Sequence, residues 1–99
     1  MNARVTTLQM LPSKMDEGIG TYRDSIMPAA RQQKGFKGLY LLTDRKTGKV
    51  ISITLWETET DLTASENSGY YKQQLAKVKV EDLQGAPPVW EAYEVSVQA

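Results

Sequence analysis

The chain has 99 residues, 12 lysines and arginines against 12 aspartates and glutamates, and neither histidine nor cysteine. Balanced charge without a basic run offers nucleic acid or an anionic membrane no general electrostatic attraction. The missing cysteine excludes disulfide and thiolate chemistry, and the missing histidine removes the usual general base and the commonest transition-metal and haem ligand.

The segment Met1 to Thr7 lacks the apolar stretch of a signal peptide, and no later stretch approaches the roughly 20 apolar residues of a membrane span, so a soluble cytoplasmic protein is expected. Arg4 to Met10 alternate with β-branched content and predict a strand that Pro12 ends. Ser13 stands at N-cap spacing before Asp16, predicting a helix from Lys14 with Met15, Ile19, Tyr22, Ile26 and Ala29 or Ala30 as its buried stripe. Gly18 and Gly20 each cost that helix about 0.5–1 kcal/mol, and Pro28 about 3 kcal/mol if it is undistorted. The reading is a kinked helix, whose kink either packs closely at the glycines or opens space against a sheet. Gly35 fits a C′ glycine. Phe36 to Thr43 and Lys49 to Trp56 form a hairpin through the loop Asp44 to Gly48. Thr58 is placed to cap a helix with Asp61 at the reciprocal position; Asn67-Ser68-Gly69 interrupts it, and Tyr70 to about Lys79 resumes it. Val80 to Pro88 is rich in turn formers, and Val89 to Val97 is a fourth strand.

The order β-α-β-β-α-β predicts an α+β, ferredoxin-like fold: one antiparallel sheet with two helices on one face, built by residues 1–99 as a single domain. Ile51, Ile53 and Leu55 make one apolar row, and Val50, Ser52, Thr54 and Trp56 make the opposite, mixed row. Neither row reads as solvated. Two helices cover one side of four strands, so the other side is expected against a second copy in a homodimer, with Val50, Ser52 or Val95 among the interface candidates.

The run Gly35-Phe36-Lys37-Gly38, the loop Asp44-Arg45-Lys46-Thr47-Gly48 and the strand Ile51-Ser52-Ile53-Thr54-Leu55-Trp56 leading into Glu57-Thr58-Glu59 resemble the antibiotic biosynthesis monooxygenase (ABM) domain over nearly the whole chain. The resemblance implies a dimeric α+β barrel with a cavity between helices and sheet in each protomer. It also implies an oxidoreductase activity found in some relatives, the oxygenation of polycyclic aromatic compounds without metal or flavin. Where quinone-forming relatives carry an Asn four residues before the Trp and a Tyr six after it, this chain has Ser52 and Leu62; only Trp56 carries over. Where haem-degrading relatives place a ligating His and a first-strand Asn, it has Glu66 and Thr6-Thr7, which speaks against haem.

Trp56, Tyr22, Ser52, Tyr70 and Tyr71 are the candidate substrate-binding residues. Trp56 at a strand-to-helix corner either stacks on a planar ligand and donates one hydrogen bond, or serves as a packing anchor. Tyr22 is on the inward stripe of the first helix. One of the adjacent Tyr70 and Tyr71 is expected to face a cavity and the other solvent or the partner. Ser52 and Thr54 share the row of Trp56 and bond either to a ligand or across a dimer. Arg23 is either an anion holder or a solvated charge, and Glu57, Glu59, Asp61 and Glu66 read as helix-start and surface charges. No residue is singled out as catalytic, and no metal or cofactor is expected. The function that follows is binding of a small aromatic or polyketide-like compound, with cofactor-independent monooxygenation as one reading and a non-catalytic binding or interaction domain as the other.

Overall fold

The computed structural model describes residues 1–99, Val80 by its backbone alone. Strand β1 (Asn2–Gln9) lies between β3 (Lys49–Trp56) and β4 (Val89–Glu94), and β2 (Phe36–Thr43) forms the far edge, so the fully antiparallel order is β2-β3-β1-β4. Central β1 carries the β-branched Val5, Thr6 and Thr7 that mark it as a strand. Met10, expected inside the strand, makes one bridge to Leu83 instead. No helix among the described residues is long and apolar enough to cross a membrane.

The register decides which row of β3 meets the helices. Arg4, Thr6 and Leu8 stand opposite Thr54, Ser52 and Val50, and Leu39 and Leu41 continue this row across β2. Arg4, Thr6, Leu8, Val50, Ser52 and Trp56 are all buried. The expected interface role of Val50 and Ser52 is therefore corrected: both lie under the helices, where Val50 joins Leu8, Met10, Met15, Tyr22, Ile26 and Val78 in the main core. The opposite face carries Ile51, Ile53, Tyr40, Leu42 and Tyr93.

Between β1 and β2 the chain makes a 3₁₀ turn (Pro12–Lys14), α1 (Met15–Thr21), a π-helical turn (Tyr22–Ile26) and α2 (Met27–Arg31). Ser13 does not cap. Proline is preorganised for a first helical position, so the chain begins turning at Pro12 and Ser13 falls inside the turn. The π turn, in which the Met27 N–H donates to the Tyr22 carbonyl, absorbs the misfit that Pro28 would impose on a regular helix. Both of its ends, Tyr22 and Ile26, stay buried. Gly18 lets the Met10 side chain lie against the helix backbone. Gly35 is not a C′ residue, because the cap is Gln32, three residues earlier.

Thr58 caps α3 (Glu59–Asn67) as its position predicts, its hydroxyl accepting from the Asp61 N–H at 3.0 Å. Gly69, at φ +84°, reverses the chain into α4 (Tyr70–Leu75), which ends well before Lys79. The last strand likewise stops at Glu94 rather than Val97.

Candidate functional site

The inward rows of β1 and β3, the π turn and α4 enclose a cavity of about 30 Å³, room for little more than one water. All five residues singled out from the sequence line it: Trp56 and Ser52 from β3, Tyr22 from the π turn, and Tyr70 and Tyr71 from α4. Their meeting has a local cause. Period-two alternation aims Ser52 and Trp56 to the same side, and the left-handed Gly69 turns the start of α4 back toward that side.

Trp56 has no exposed surface, and Phe36 meets it edge to face at 5.8 Å. Its ring N–H, which the sequence left available to a ligand, donates to Thr54 Oγ1 at 3.0 Å. The indole is thus a packing anchor whose other surface forms a cavity wall. Tyr71 is buried with its hydroxyl bonded to that of Thr6, and Trp90 packs on its ring at 5.2 Å. Tyr70, half-buried, also reaches the cavity, contrary to the expectation that adjacent helical residues would part. It is the first residue of α4, directly after the turn at Gly69. Burial pushes both phenols up to about 12, against the opposing charge of Arg4 and, for Tyr71, the Thr6 hydroxyl. Tyr22 is raised in the same direction by burial, with the Ser52 hydroxyl working against it.

The residue that sequence reading missed is Arg4. It is 1% exposed, and its guanidinium lies 4.0 Å from the Tyr71 ring centroid and 5.5 Å from that of Trp56. Nη2 donates to the Leu62 carbonyl at 3.1 Å and to Ser65 Oγ, and Nε to Glu66 Oε1 at 3.4 Å. Desolvation lowers its pKa and the Glu66 carboxylate opposes that, while a guanidinium remains charged at neutral pH. A signal was present: Arg4, Thr6 and Leu8 occupy one row of β1, Met10 continues it just past the strand's end, and the two apolar residues mark that row as inward. Glu66 is accordingly not a free surface charge. Gln74, 7% exposed, lines the same cavity with Oε1 unpartnered.

Other candidates lie elsewhere. Arg23 is exposed and forked onto Asp24 at 3.0 and 3.2 Å, so it holds no anion in the cavity. Glu57 and Glu59 are exposed. No group of three or more metal-ligating side chains occurs among the described residues. Histidine ligation of haem has no counterpart here: the chain has no imidazole, and the carboxylate ten residues beyond Trp56 is engaged by Arg4.

Two Mycobacterium tuberculosis proteins, both uncharacterized, resemble the chain in sequence. Rv2557 is 32% identical over 96 residues, 95% of this chain and 40% of that protein. Rv2558 is 41% identical over 63 residues, 64% of this chain and 27% of that protein. The chain thus spans well under half the length of these relatives. Among solved structures, the heme-degrader MhuD of M. tuberculosis, with two hemes bound in its active site, superimposes with a TM-score of 0.77 at 15% identity, covering 100% of this chain and 99% of that one. The monooxygenase ActVA-Orf6 of Streptomyces coelicolor, in complex with nanaomycin D, gives 0.72 at 14% identity, covering 99% and 89%. These likenesses establish the ferredoxin-like fold. The profile of the antibiotic biosynthesis monooxygenase family matches residues 1–77, and the chain belongs to that family.

Proposed function

We propose that residues 1–99 act as one cytoplasmic ABM domain that binds a planar aromatic, polyketide-like compound against Trp56, Tyr22, Ser52, Tyr70 and Tyr71 and oxygenates it without a cofactor. The observation that carries the reading is an aromatic and hydroxyl-lined cavity enclosed beside a buried cation. At neutral pH the three phenols are protonated and act as hydrogen-bond donors. In this reading the substrate supplies the electrons: an anthrone methylene takes one oxygen atom of O₂ as its new carbonyl, and the other leaves as water. The protein contributes desolvation, orientation and a positive charge beside the electron-rich form of the substrate.

The closed cavity is too small for such a ligand, so binding requires α4 to swing on Gly69. That helix has six residues and no side-chain cap. The apolar outer face of the sheet supports assembly as a homodimer, the second copy covering Ile51, Ile53, Tyr40 and Leu42.

One observation favours a second reading, binding without turnover: among the described residues lining the cavity, no side chain titrates near neutral pH to act as a general base. Oxygen uptake with a panel of hydroxylated anthrones and quinols separates the two. Uptake above the no-enzyme rate supports oxygenation. Binding of the same compounds with no added uptake retires it in favour of the binding domain.

A further inference from the structure

A buried guanidinium calls for compensation of its charge and for acceptors on its five N–H groups. Arg4 has neither in full. Its one carboxylate partner, Glu66, stands at 3.4 Å with a side chain 33% exposed, and so is partly screened by water. Three of its N–H directions are served, by Glu66, Leu62 and Ser65, while Nη1 makes no hydrogen bond among the described residues. No aspartate or glutamate lines the cavity, and the nearest carboxylate, Glu66, is held on the Nε side of the guanidinium. The Tyr71 ring covers one face of the guanidinium, which leaves its edge as the direction in which an acceptor is recognised.

The same cavity contains the opposite deficit. Gln74 Oε1 is fully buried without a partner, a state that costs the desolvation of the group unless a ligand satisfies it. A hydroxyl, being both donor and acceptor, satisfies that amide in either orientation. One buried cation with a free donor edge and one orphaned amide therefore define a complement: a flat anion that also carries a hydroxyl.

We infer that the cavity selects an aromatic anion bearing a separate hydroxyl group, with Arg4 anchoring the anionic oxygens and Gln74 taking the hydroxyl. This rests on the aromatic-ligand reading of the site and adds the charge and the second polar group of the ligand. The Thr6 hydroxyl is bonded to that of Tyr71, so Thr6 holds that ring rather than the ligand.

The test is calorimetric titration at pH 7 with three probes: 6-hydroxy-2-naphthoate, its methyl ester, and 2-naphthoate. The hydroxynaphthoate should bind roughly tenfold or more tighter than the ester, the scale of a charge-assisted hydrogen bond, and several-fold tighter than 2-naphthoate. Arg4→Met, close in volume and free of charge, should bind acid and ester alike, while Arg4→Lys should keep a preference for the acid. Gln74→Leu should erase the distinction between hydroxynaphthoate and naphthoate and leave the charge preference intact. If Arg4→Met does not fold, the wild-type comparison of acid with ester and the Arg4→Lys titration still decide. Equal binding of acid and ester to the wild type would overturn the inference while leaving an aromatic pocket standing. Failure of all three probes to bind removes the aromatic-ligand reading and this inference with it.

Discussion

Trp56 shows how one side chain is both wall and anchor. With no exposed surface, an edge-to-face contact to Phe36 and its N–H spent on Thr54, it has no freedom to serve a ligand without also holding the corner between β3 and α3. Trp56→Phe should therefore lower stability by about 1–3 kcal/mol, read as a fall in melting temperature of roughly 4–8 °C per kcal/mol. An unchanged melting temperature would contradict the burial. Tyr71 offers a second test through pH. Its folded pKa, pushed up to about 12 from 10.0, means that the fold holds the phenolic proton more tightly than the unfolded chain does. That stabilisation is complete below pH 10 and is lost as pH rises toward 12. Tyr22 and Tyr70 are raised in the same direction, and Arg4 and Glu66 pull Tyr71 oppositely, so the comparison must be with Tyr71→Phe. The variant should lose less stability than the wild type between pH 10 and 12 in denaturant titrations; parallel curves would refute the assignment. The five cavity residues were legible because Ser52 shares the strand row of Trp56, Tyr22 lies on the buried helical stripe, and Tyr70 and Tyr71 follow the break at Gly69. Arg4 was not, despite its inward row, because a buried charge is credible only with its partners, and Leu62, Ser65 and Glu66 lie 58 to 62 residues away in sequence.

Elements whose boundaries depend on local chemistry were legible nearly to the residue: β2 and β3 around the Asp44–Gly48 loop, where Asp44 Oδ1 accepts from the Lys46 and Thr47 N–H groups, and α3 from its Thr58 cap. Boundaries set by tertiary contact were not. The π turn before Pro28 keeps Tyr22 and Ile26 buried while absorbing the proline's misfit, and helical periodicity alone does not reveal such a turn. Two glycines separate the kinds of constraint. At Gly69, φ is +84° but an added methyl group would meet only open space, so Gly69→Ala carries only the left-handed backbone cost, about 1–2 kcal/mol. At Gly48, φ is +82° and a Cβ would overlap the Met10 carbonyl oxygen, which cannot easily retreat because the Met10 N–H is bonded to the Gly48 carbonyl at 2.8 Å. Gly48→Ala should cost more than about 3 kcal/mol. Chemical denaturation of both variants checks the order; equal losses would show that the hairpin gives way as readily as the hinge.

At the scale of the whole molecule, the two sides of the sheet differ in what covers them. The helices bury the row that includes Arg4, Thr6, Ser52 and Trp56, whereas the other side leaves Tyr40 60%, Leu42 49% and Tyr93 49% exposed around half-buried Ile51 and Ile53. That the second face would be largely apolar was legible from the strand alternation. Which row it was required the register, since shifting the pairing by one residue exchanges the faces. Among the described residues, the only charged side chain paired into the middle of this face is Glu91, opposite Val5 on the edge strand, so the centre stays apolar. A second copy placed there removes this surface from water, whereas a monomer would carry it exposed. Light scattering after size exclusion at micromolar concentration should therefore give twice the 11.1 kDa chain mass. Ile53→Glu, at the centre of the outer face, should shift that mass toward the monomer and lower the melting temperature together, because in an obligate dimer assembly and stability are linked. Lys37→Glu, beside Glu57 at the sheet's rim, should leave the mass unchanged. A wild-type chain that runs as a clean monomer, or an Ile53→Glu variant that stays dimeric, would overturn the barrel.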